Sequence, residues 1–323
     1  METNVDSRAT GQQDGETAAL PNFLILGSAK CATTSIHYYL NQHPEIFMTG
    51  KKECHFFCAP EIDDRHYQPQ YQPIRKRGEY ESLFKDVGAS RVLGESSPMY
   101  LFYPQAAERI REAIPNAKLL AILRNPADRA FSAYLHAVRD GLESLPFEEA
   151  LEAEPERMRS GQYSATHAYG EFGFYFEKLR PYYDRFSRDQ IKVLLYEQVN
   201  GNMQESLRDL CEFLNVSADF SFDTRPRLNV SGVPKKRWIQ RFAEELGKDS
   251  WWVNIVKKPF TNSAWVRTVK TLQYSNYKKP TLSAEARTRV LERYREDMDK
   301  LSRLISQDVL SVWTSSPESS RRS

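Results

Sequence analysis

The chain has 323 residues, enough for one large core or two smaller ones, and its 45 basic and 43 acidic side chains leave a formal net charge of only +2. This balance excludes the strong positive field of a general nucleic-acid-binding protein, so any basic site must be local. The four cysteines lack the spacing of a zinc site or of a disulfide framework, which favours a reducing compartment.

The two ends of the chain are polar. Residues 1–20 lack the apolar segment of a signal peptide, and we expect a disordered leader there and a disordered tail at residues 314–323. No stretch has the run of apolar residues that a membrane span needs. These two features lead us to predict a cytoplasmic protein. Because no internal repeat is evident, we also predict one domain, over residues 21–313.

Short apolar runs alternate with helical patterns along the chain. The predicted strands are Phe23–Leu26, Arg91–Gly94, Ala117–Leu123 and Ile191–Leu195, and the predicted helices include Pro104–Ile114, Met203–Leu214 and a long one over Ser283–Ile305. The alternation predicts an α/β, P-loop-like fold of three layers, with a central parallel sheet flanked by helices. Ligands of such sheets bind at the carboxyl ends of the strands.

The segment after the first strand has the features of an anion site. Gly27 opens a tight loop, and a helix is predicted to start at Thr33. A helix start offers free N–H groups and a positive dipole end, to which Lys30 adds a full charge. The expected phosphate cradle consists of Gly27, Ser28, Lys30, Cys31, Ala32, Thr33, Thr34 and Ser35. It is not a Walker A loop, which ends in Gly-Lys-Ser/Thr, and a plain strand–turn–helix is the alternative.

A second anion site is predicted after the strand Ala117–Leu123. Arg124 closes that strand, and Asn125 and Pro126 can cap and start the next helix. On this helix Ser132 and His136 share one face. Arg124 and Ser132 can then converge on one anion, although Ser132 can also be a packing residue.

Two anion sites at two strand ends of one sheet imply a nucleoside phosphorylated at both ends. ATP and GTP lack this feature, whereas a 3′,5′-bisphosphorylated adenosine has it. The reactive form of that nucleotide is 3′-phosphoadenosine 5′-phosphosulfate (PAPS), which makes PAPS the expected donor and 3′-phosphoadenosine 5′-phosphate (PAP) the expected product.

With these motifs the chain resembles the PAPS-dependent sulfotransferases, in a bacterial form similar to the heparan sulfate sulfotransferase branch. The segment from Glu53 to Phe57 resembles the E-x-H-F-F segment of that branch. The resemblance implies that Lys30 stabilises the leaving phosphate and that Glu53 is the catalytic base, with His136 and then His55 as alternatives. An ion pair of Glu53 with Lys51 or Lys52, and a packed His55, are the structural alternatives. No metal is expected.

The resemblance implies further donor contacts and shows two departures. Residues counted as donor-binding also include Tyr196, Lys235, Lys236 and Arg237, although the last three can also be a solvated run of charges. Tyr175 or Trp238 is a candidate to stack on adenine, with packing in the core as the alternative. Ala32 stands where family loops often have glycine, which asks for an unstrained backbone. Ser96 follows Glu95 where the heparan branch often has lysine, so the acceptor stays open among small molecules, lipids and carbohydrates.

Two other functions stay open from the sequence. A P-loop kinase or nucleotide phosphotransferase would need a Gly-Lys-Ser/Thr loop and a Mg²⁺-binding acid at a strand end. A non-catalytic nucleotide-binding module would not need Lys30 for turnover.

Overall fold

The structure is a computed structural model that describes residues 20–63, 72–85, 87–160, 168–226 and 280–314, together with Leu246 and the backbone of residues 233–234 and 277–278. The predicted contacts of Lys235, Lys236, Arg237 and Trp238 lie outside the described residues. So do residues 1–19 and 315–323, which contain nearly all of the expected leader and tail.

Five parallel strands form the central sheet. They are β1 (Phe23–Gly27), β2 (Ile46–Met48), β3 (Val92–Ser96), β4 (Lys118–Leu123) and β5 (Ile191–Leu195). Their order in the sheet is β2-β3-β1-β4-β5, so β1 lies at the centre. A separate antiparallel pair consists of β6 (Val233–Pro234) and β7 (Tyr277–Lys278). The predicted parallel sheet is confirmed.

Helices connect the strands and cover the sheet. The described ones are α1 (Thr33–Leu40), α2 (Arg77–Ser82), α3 (Met99–Phe102), α4 (Ala106–Ala113), α5 (Pro126–Arg139), α6 (Phe147–Arg159), α7 (Tyr175–Tyr183), α8 (Tyr196–Gly201), α9 (Met203–Leu214), α10 (Ala284–Glu292), α11 (Arg295–Ile305) and α12 (Val309–Thr314). Short 3₁₀ turns lie at Phe56–Glu61, Glu171–Gly173 and Arg188–Gln190.

The two faces of the sheet pack against different helices, which gives the three predicted layers. Because side chains alternate along a strand, Phe23 and Ile25 of β1 point to one face and Leu24 and Leu26 to the other. The first face packs on α1 and α9, and the second packs on α4, α5, α7 and α11. All four of these β1 side chains are fully buried, so β1 is held rigidly, and so is the start of the loop that follows it.

The prediction of one long helix over Ser283–Ile305 is wrong in one respect. Ser283 caps it as expected, its hydroxyl accepting from the N–H of Ala286 at 3.1 Å. The helix breaks after Glu292, however, and resumes at Arg295. Tyr294 lies in the break, fully buried, and its hydroxyl donates to the carbonyl of Gly170 at 3.0 Å. This hydrogen bond anchors the break to the segment before the turn at Glu171–Gly173.

The four cysteines, Cys31, Cys54, Cys58 and Cys211, are all free and buried. Burial raises the pKa of every one of these thiols, that of Cys211 to about 11 and that of Cys31 to about 12. A thiol with a raised pKa carries little reactive thiolate at neutral pH.

Within the described parts of the chain, no helix combines the length and the apolar character needed to cross a membrane.

Candidate functional site

Four chain segments meet where the central strands end. After β1, the N–H of Ser28 donates to the carbonyl of Ile122 on β4 at 2.8 Å. After β3, the N–H of Ser97 donates to the carbonyl of Ile25 on β1 at 3.1 Å. The segment that follows β2 joins them, since the N–H of Glu53 donates to the carbonyl of Ser96 at 3.0 Å. The predicted site residues of these segments therefore lie at one edge of the sheet, as the topology requires.

The loop between β1 and α1 forms a cradle that fits an anion. Helix α1 starts at Thr33, as predicted, and no side chain caps its first turn. Its first N–H groups, which have no partner within a helix, point into the loop. All the predicted cradle residues, Gly27 to Ser35, lie in this loop and first turn. The thiol of Cys31 faces the core and is fully buried, so only its backbone is available to a ligand.

The backbone at Ala32 contradicts the expectation of an unstrained loop. Ala32 has φ 66°, and Lys30 has φ 71°, both in the left-handed region that glycine adopts most readily. For an L-residue with a side chain this conformation costs about 1–2 kcal/mol. The loop therefore keeps the shape for which a glycine would be suited and accepts the strain. Strain of this kind is concentrated at functional sites.

Lys30 is a half-buried cation that forms no ion pair with any residue the structure describes. Burial lowers its pKa to about 8, with help from the charges of Arg139 and Arg124 and against those of Asp140 and Glu53. A buried ammonium is costly unless an opposite charge accompanies it. The cradle thus has a cation without a direct ion pair among the described residues, beside an uncapped helix start, which fits the phosphosulfate end of the expected nucleotide.

Glu53 lies beside this cradle and is tied to it by Lys52. The Lys52 ammonium is 3.2 Å from Oε1 of Glu53 and donates to Oγ1 of Thr34 at 2.9 Å. Burial works to raise the pKa of Glu53, but the charges of Lys52 and Lys30 outweigh it, so the pKa lies below its ordinary value. Glu53 is therefore ionised near neutral pH and can accept a proton. The ion pair with Lys52 considered from sequence does form.

His136 approaches the same cradle from helix α5. Burial and the charges of Lys30 and Arg139 lower its pKa to about 4, so the imidazole is neutral near pH 7. Its Nδ1 lies 3.6 Å from Oδ2 of Asp140, and Oδ1 of Asp140 accepts from Nε of Arg139 at 2.8 Å. The end of α5 therefore brings a neutral base, a carboxylate and a guanidinium to the mouth of the cradle.

His55 belongs to the wall of the site rather than to its surface. It is 1% exposed, and burial lowers its pKa to about 4. The backbone N–H of His55 donates to Oγ of Ser97 at 2.9 Å. Of the three expected bases, His55 is thus the most enclosed, whereas the side chain of Glu53 is 33% exposed and that of His136 is 40% exposed.

Arg124, predicted for a second anion site, follows β4 directly. Its guanidinium lies over the ring of Tyr196 at 4.6 Å from the centroid, and Nη1 is 3.4 Å from the carbonyl of Lys30. The carbonyl of Arg124 accepts from the hydroxyl of Tyr175 at 2.9 Å. Tyr175 is fully buried, so its ring is part of the core and positions Arg124 instead of stacking on a nucleobase. Ser132 lies on α5 and is 8% exposed.

Sequence reasoning did not place Arg139 and Asp140 in the site, and it named Lys52 only as an ion-pair partner of Glu53. Lys52 precedes Glu53 directly, yet its contact with Thr34 is a tertiary one that no spacing indicates. Arg139 and Asp140 follow His136 by three and four residues, which places them on its face of the helix. That spacing was the available signal. No cluster of three or more His, Cys, Asp or Glu placed to hold a metal ion occurs among the described residues.

Comparison with known proteins identifies the family. The model of the sulfotransferase family matches residues 21–220, more than half of the chain. The chain belongs to the sulfotransferase family. A crystal structure of a sulfotransferase from Alicyclobacillus acidocaldarius is similar at 40% identity, covering 77% of this chain and 100% of that chain with a TM-score of 0.61. The predicted sulfotransferase family and its parallel α/β fold are confirmed, and the kinase alternative is not supported.

Two curated sulfotransferases show how far the likeness extends. The membrane-associated sulfotransferase kil1 of Dictyostelium discoideum is 33% identical over 126 residues, which are 39% of this chain and 25% of that protein. The human bifunctional heparan sulfate N-deacetylase/N-sulfotransferase 2 is 25% identical over 210 residues, 61% of this chain and 22% of that protein. The chain spans about a quarter of the length of these sulfotransferases.

Proposed function

We propose that this chain transfers the sulfuryl group of PAPS to a hydroxyl or amine of an acceptor, with residues 21–313 as the catalytic domain. The observation that carries the proposal is the cation of Lys30 at the uncapped start of α1, with Glu53 and His136 close to it. The charge of Glu53 acts on the pKa of Lys30, and the charge of Lys30 acts on the pKa of His136. The groups that can bind an anion, stabilise negative charge and accept a proton therefore lie together where the central strands end.

The donor is proposed to bind at two points. The cradle from Gly27 to Ser35 would hold the 5′-phosphosulfate end through backbone N–H groups, hydroxyls and Lys30. Arg124 and Ser132 would hold the 3′-phosphate, since a guanidinium offers forked donors that match phosphate oxygens. Tyr196 supports Arg124 by its ring contact. Lys235, Lys236 and Arg237 stay a prediction for the far side of the nucleotide.

The proposed step balances without a metal or a redox partner. The acceptor oxygen or nitrogen forms a bond to sulfur while the bond between sulfur and the 5′-phosphate oxygen breaks, and the electron pair of that bond stays on PAP. Glu53 accepts the proton of the acceptor, with His136 as the second candidate and the enclosed His55 as the third. Lys30 stabilises the negative charge that develops on the leaving phosphate.

The acceptor class is the open part of the proposal. The curated relatives include enzymes named for N-sulfation of heparan sulfate and for 3-O-sulfation of its glucosamine. We therefore place carbohydrates first, with small molecules and lipids next. The cytoplasmic location also stays a prediction, for which the four free cysteines are the support.

A thermal-shift experiment with PAP, 5′-AMP and Mg·ATP in parallel tests the donor. A ligand at 100 times its dissociation constant stabilises the folded state by about 2.7 kcal/mol, so PAP should raise the melting temperature most. Stabilisation by Mg·ATP alone would contradict the proposal. Transfer of ³⁵S from labelled PAPS to glucosamine-containing oligosaccharides, phenols and long-chain alcohols then identifies the acceptor. Binding of PAP without ³⁵S transfer to any of these acceptors would favour a non-catalytic nucleotide-binding module. A Lys30→Ala variant that turns over like the wild type would remove Lys30 from the catalytic residues.

A further inference from the structure

A fully buried carboxyl group, that of Glu95, lies at the end of β3 next to the proposed active site. Its Oε1 accepts from the hydroxyl of Tyr80 at 3.3 Å, and its Oε2 accepts from Oγ of Ser97 at 2.9 Å. Burial raises its pKa to about 7, against the effect of hydrogen bonds from Tyr100, Ser97, Tyr80 and Cys54. All four of these partners are neutral groups. Glu95 is therefore a buried acid held by neutral hydrogen-bond donors.

The groups that hold Glu95 also hold the segment that carries Glu53. Oγ of Ser97, which donates to Glu95, accepts the N–H of His55 at 2.9 Å. The ring of Tyr80 stacks on that of Phe56, with centroids 4.2 Å apart and planes 7° from parallel. Glu95 is thus the centre of a set of contacts to consecutive residues of this segment.

This segment needs such support because its backbone is strained at two positions. Glu53 has φ 61° and His55 has φ 52°, so two residues with side chains, separated by one, are left-handed. A residue with a side chain adopts this conformation only at an energetic cost, and such conformations persist only where the surroundings determine them. The bond from His55 N–H to Ser97 fixes the second of the two. The bond from Glu53 N–H to the carbonyl of Ser96, at 3.0 Å, fixes the first.

The carboxyl group of Glu95 has no access to an acceptor. It is 0% exposed, and both of its oxygens are engaged by hydroxyl donors. It is therefore not a catalytic residue in the sense of touching the reacting atoms. Its influence on the reaction can only pass through the groups that it holds.

We propose that Glu95 is a positioning residue, whose carboxyl group, through Ser97 and Tyr80, fixes the backbone of residues 53–57 and thereby the direction of the Glu53 side chain. This inference rests on the proposed function for its catalytic consequence, since Glu53 must be the base for its direction to matter. The hold of Glu95 on the segment is a structural statement that can be measured without any substrate.

The first test measures amide hydrogen–deuterium exchange of the full chain at residues 54–57 by mass spectrometry. Glu95→Ala should raise exchange there roughly tenfold or more, because local opening becomes easier. Glu95→Gln keeps one acceptor oxygen, for the hydroxyl of Ser97 or Tyr80, so its exchange should lie between that of the wild type and that of Glu95→Ala. Asp297→Ala is the matched control. Asp297 is also a buried acid with a raised pKa, about 6, but it accepts from the N–H of Phe176 on α7. It should leave residues 54–57 unchanged.

The second test separates positioning from donor binding. With water as the acceptor, release of PAP from PAPS should show a kcat about 30-fold lower for Glu95→Ala, whereas the Kd for PAP should stay within about twofold. Partial recovery of kcat in Glu95→Gln supports the hydrogen-bonding role. Wild-type exchange in Glu95→Ala, an equal loss of PAP affinity and kcat, or a Gln variant as impaired as the Ala variant would each overturn the inference. If the wild type does not bind PAP, the proposed function fails, and the exchange data still decide whether Glu95 holds the segment.

Discussion

The Lys52 side chain donates a hydrogen bond to the hydroxyl of Thr34 across 2.9 Å. This contact links the segment after β2 to the first turn of α1, so the proposed base and the proposed phosphate cradle share one ammonium group. Lys52 also lies 3.2 Å from Glu53. Because one cation contacts both partners, we expect the position of the base to depend on the shape of the cradle.

Replacement of Lys52 should change the acid side of the pH profile. Its charge lowers the pKa of Glu53, so Lys52→Met should raise that pKa and move the acid limb of kcat/KM toward higher pH. If the limb moves by about one pH unit, activity at a fixed pH on it falls roughly tenfold. Lys51→Met is the matched control, since the side chain of Lys51 is 40% exposed and its ammonium pairs with Glu79, at 3.8 Å. The assignment fails if the two variants have the same profile.

Deprotonation of Lys30 should limit activity at alkaline pH. The pKa of Lys30 is lowered to about 8 by burial, and only the protonated form can stabilise the leaving phosphate. Thus kcat/KM, which reports the free enzyme, should fall as pH rises through about 8. The limb in kcat should lie higher, because a bound anion favours the ammonium. Lys30→Arg should remove the limb, as arginine stays protonated. An unchanged limb in Lys30→Arg would assign it to another group.

Loss of Lys30 should reduce turnover more than binding. Its charge is needed most when the leaving phosphate becomes more negative, so Lys30→Ala should lower kcat by about 10²–10³. The Kd for PAP should change by about tenfold or less. Calorimetric titration of PAP beside ³⁵S transfer measures both quantities. Equal losses in the two would make Lys30 a binding residue only.

Arg124 should discriminate between nucleotides with and without a 3′-phosphate. A hydrogen bond to a charged group contributes about 1.5–3 kcal/mol, so Arg124→Ala should weaken PAP binding by roughly 10- to 100-fold. The affinity for 5′-AMP should be nearly unaffected, which makes 5′-AMP the internal control in the same titration. Equal losses for both nucleotides would show that Arg124 does not contact the 3′-phosphate.

Ala32 should be a position where glycine stabilises the fold. Its φ of 66° strains an alanine, and relief of that strain exceeds the added chain entropy of glycine. Ala32→Gly should therefore raise the free energy of unfolding by about 0.5–1 kcal/mol, measured by urea denaturation. Ala153→Gly, within α6, is the control and should lower it by about 0.5–1 kcal/mol. A destabilised Ala32→Gly would mean that the loop is held in this shape at no cost.

The parts of the site that the sequence predicts are those coded by neighbouring residues. The strand, loop and helix at Phe23–Leu40 follow from an apolar run, a glycine and a helix start within one short stretch. Arg124 and Ser132 follow in the same way from one strand end and the helix after it. The strand β2 has only three residues, too few for a periodic pattern, and sequence analysis assigned no strand there.

The parts that it does not predict depend on contacts between distant segments. Glu95 is 42 residues from Glu53 in the chain, yet their backbone segments are joined through Ser97, and a strand end gives no signal for this. The break at Tyr294 depends on Gly170, which lies 124 residues away. The left-handed backbone of Ala32 is set by the loop as a whole, whereas the residue type alone favours the opposite conformation.

The four buried thiols make the folded chain a poor target for alkylating reagents. Since the thiolate is the form that reacts, labelling at mildly alkaline pH has to wait for an opening of the surrounding structure. The alkylation rate of each cysteine therefore reports how often the structure around it opens. Cys31 reports on the loop after β1, Cys54 and Cys58 report on the chain around Glu53, and Cys211 reports on helix α9. A ligand seated in the cradle should slow the modification of Cys31 while leaving Cys211 at its original rate, so peptide mapping after alkylation can locate a bound molecule whose identity is unknown.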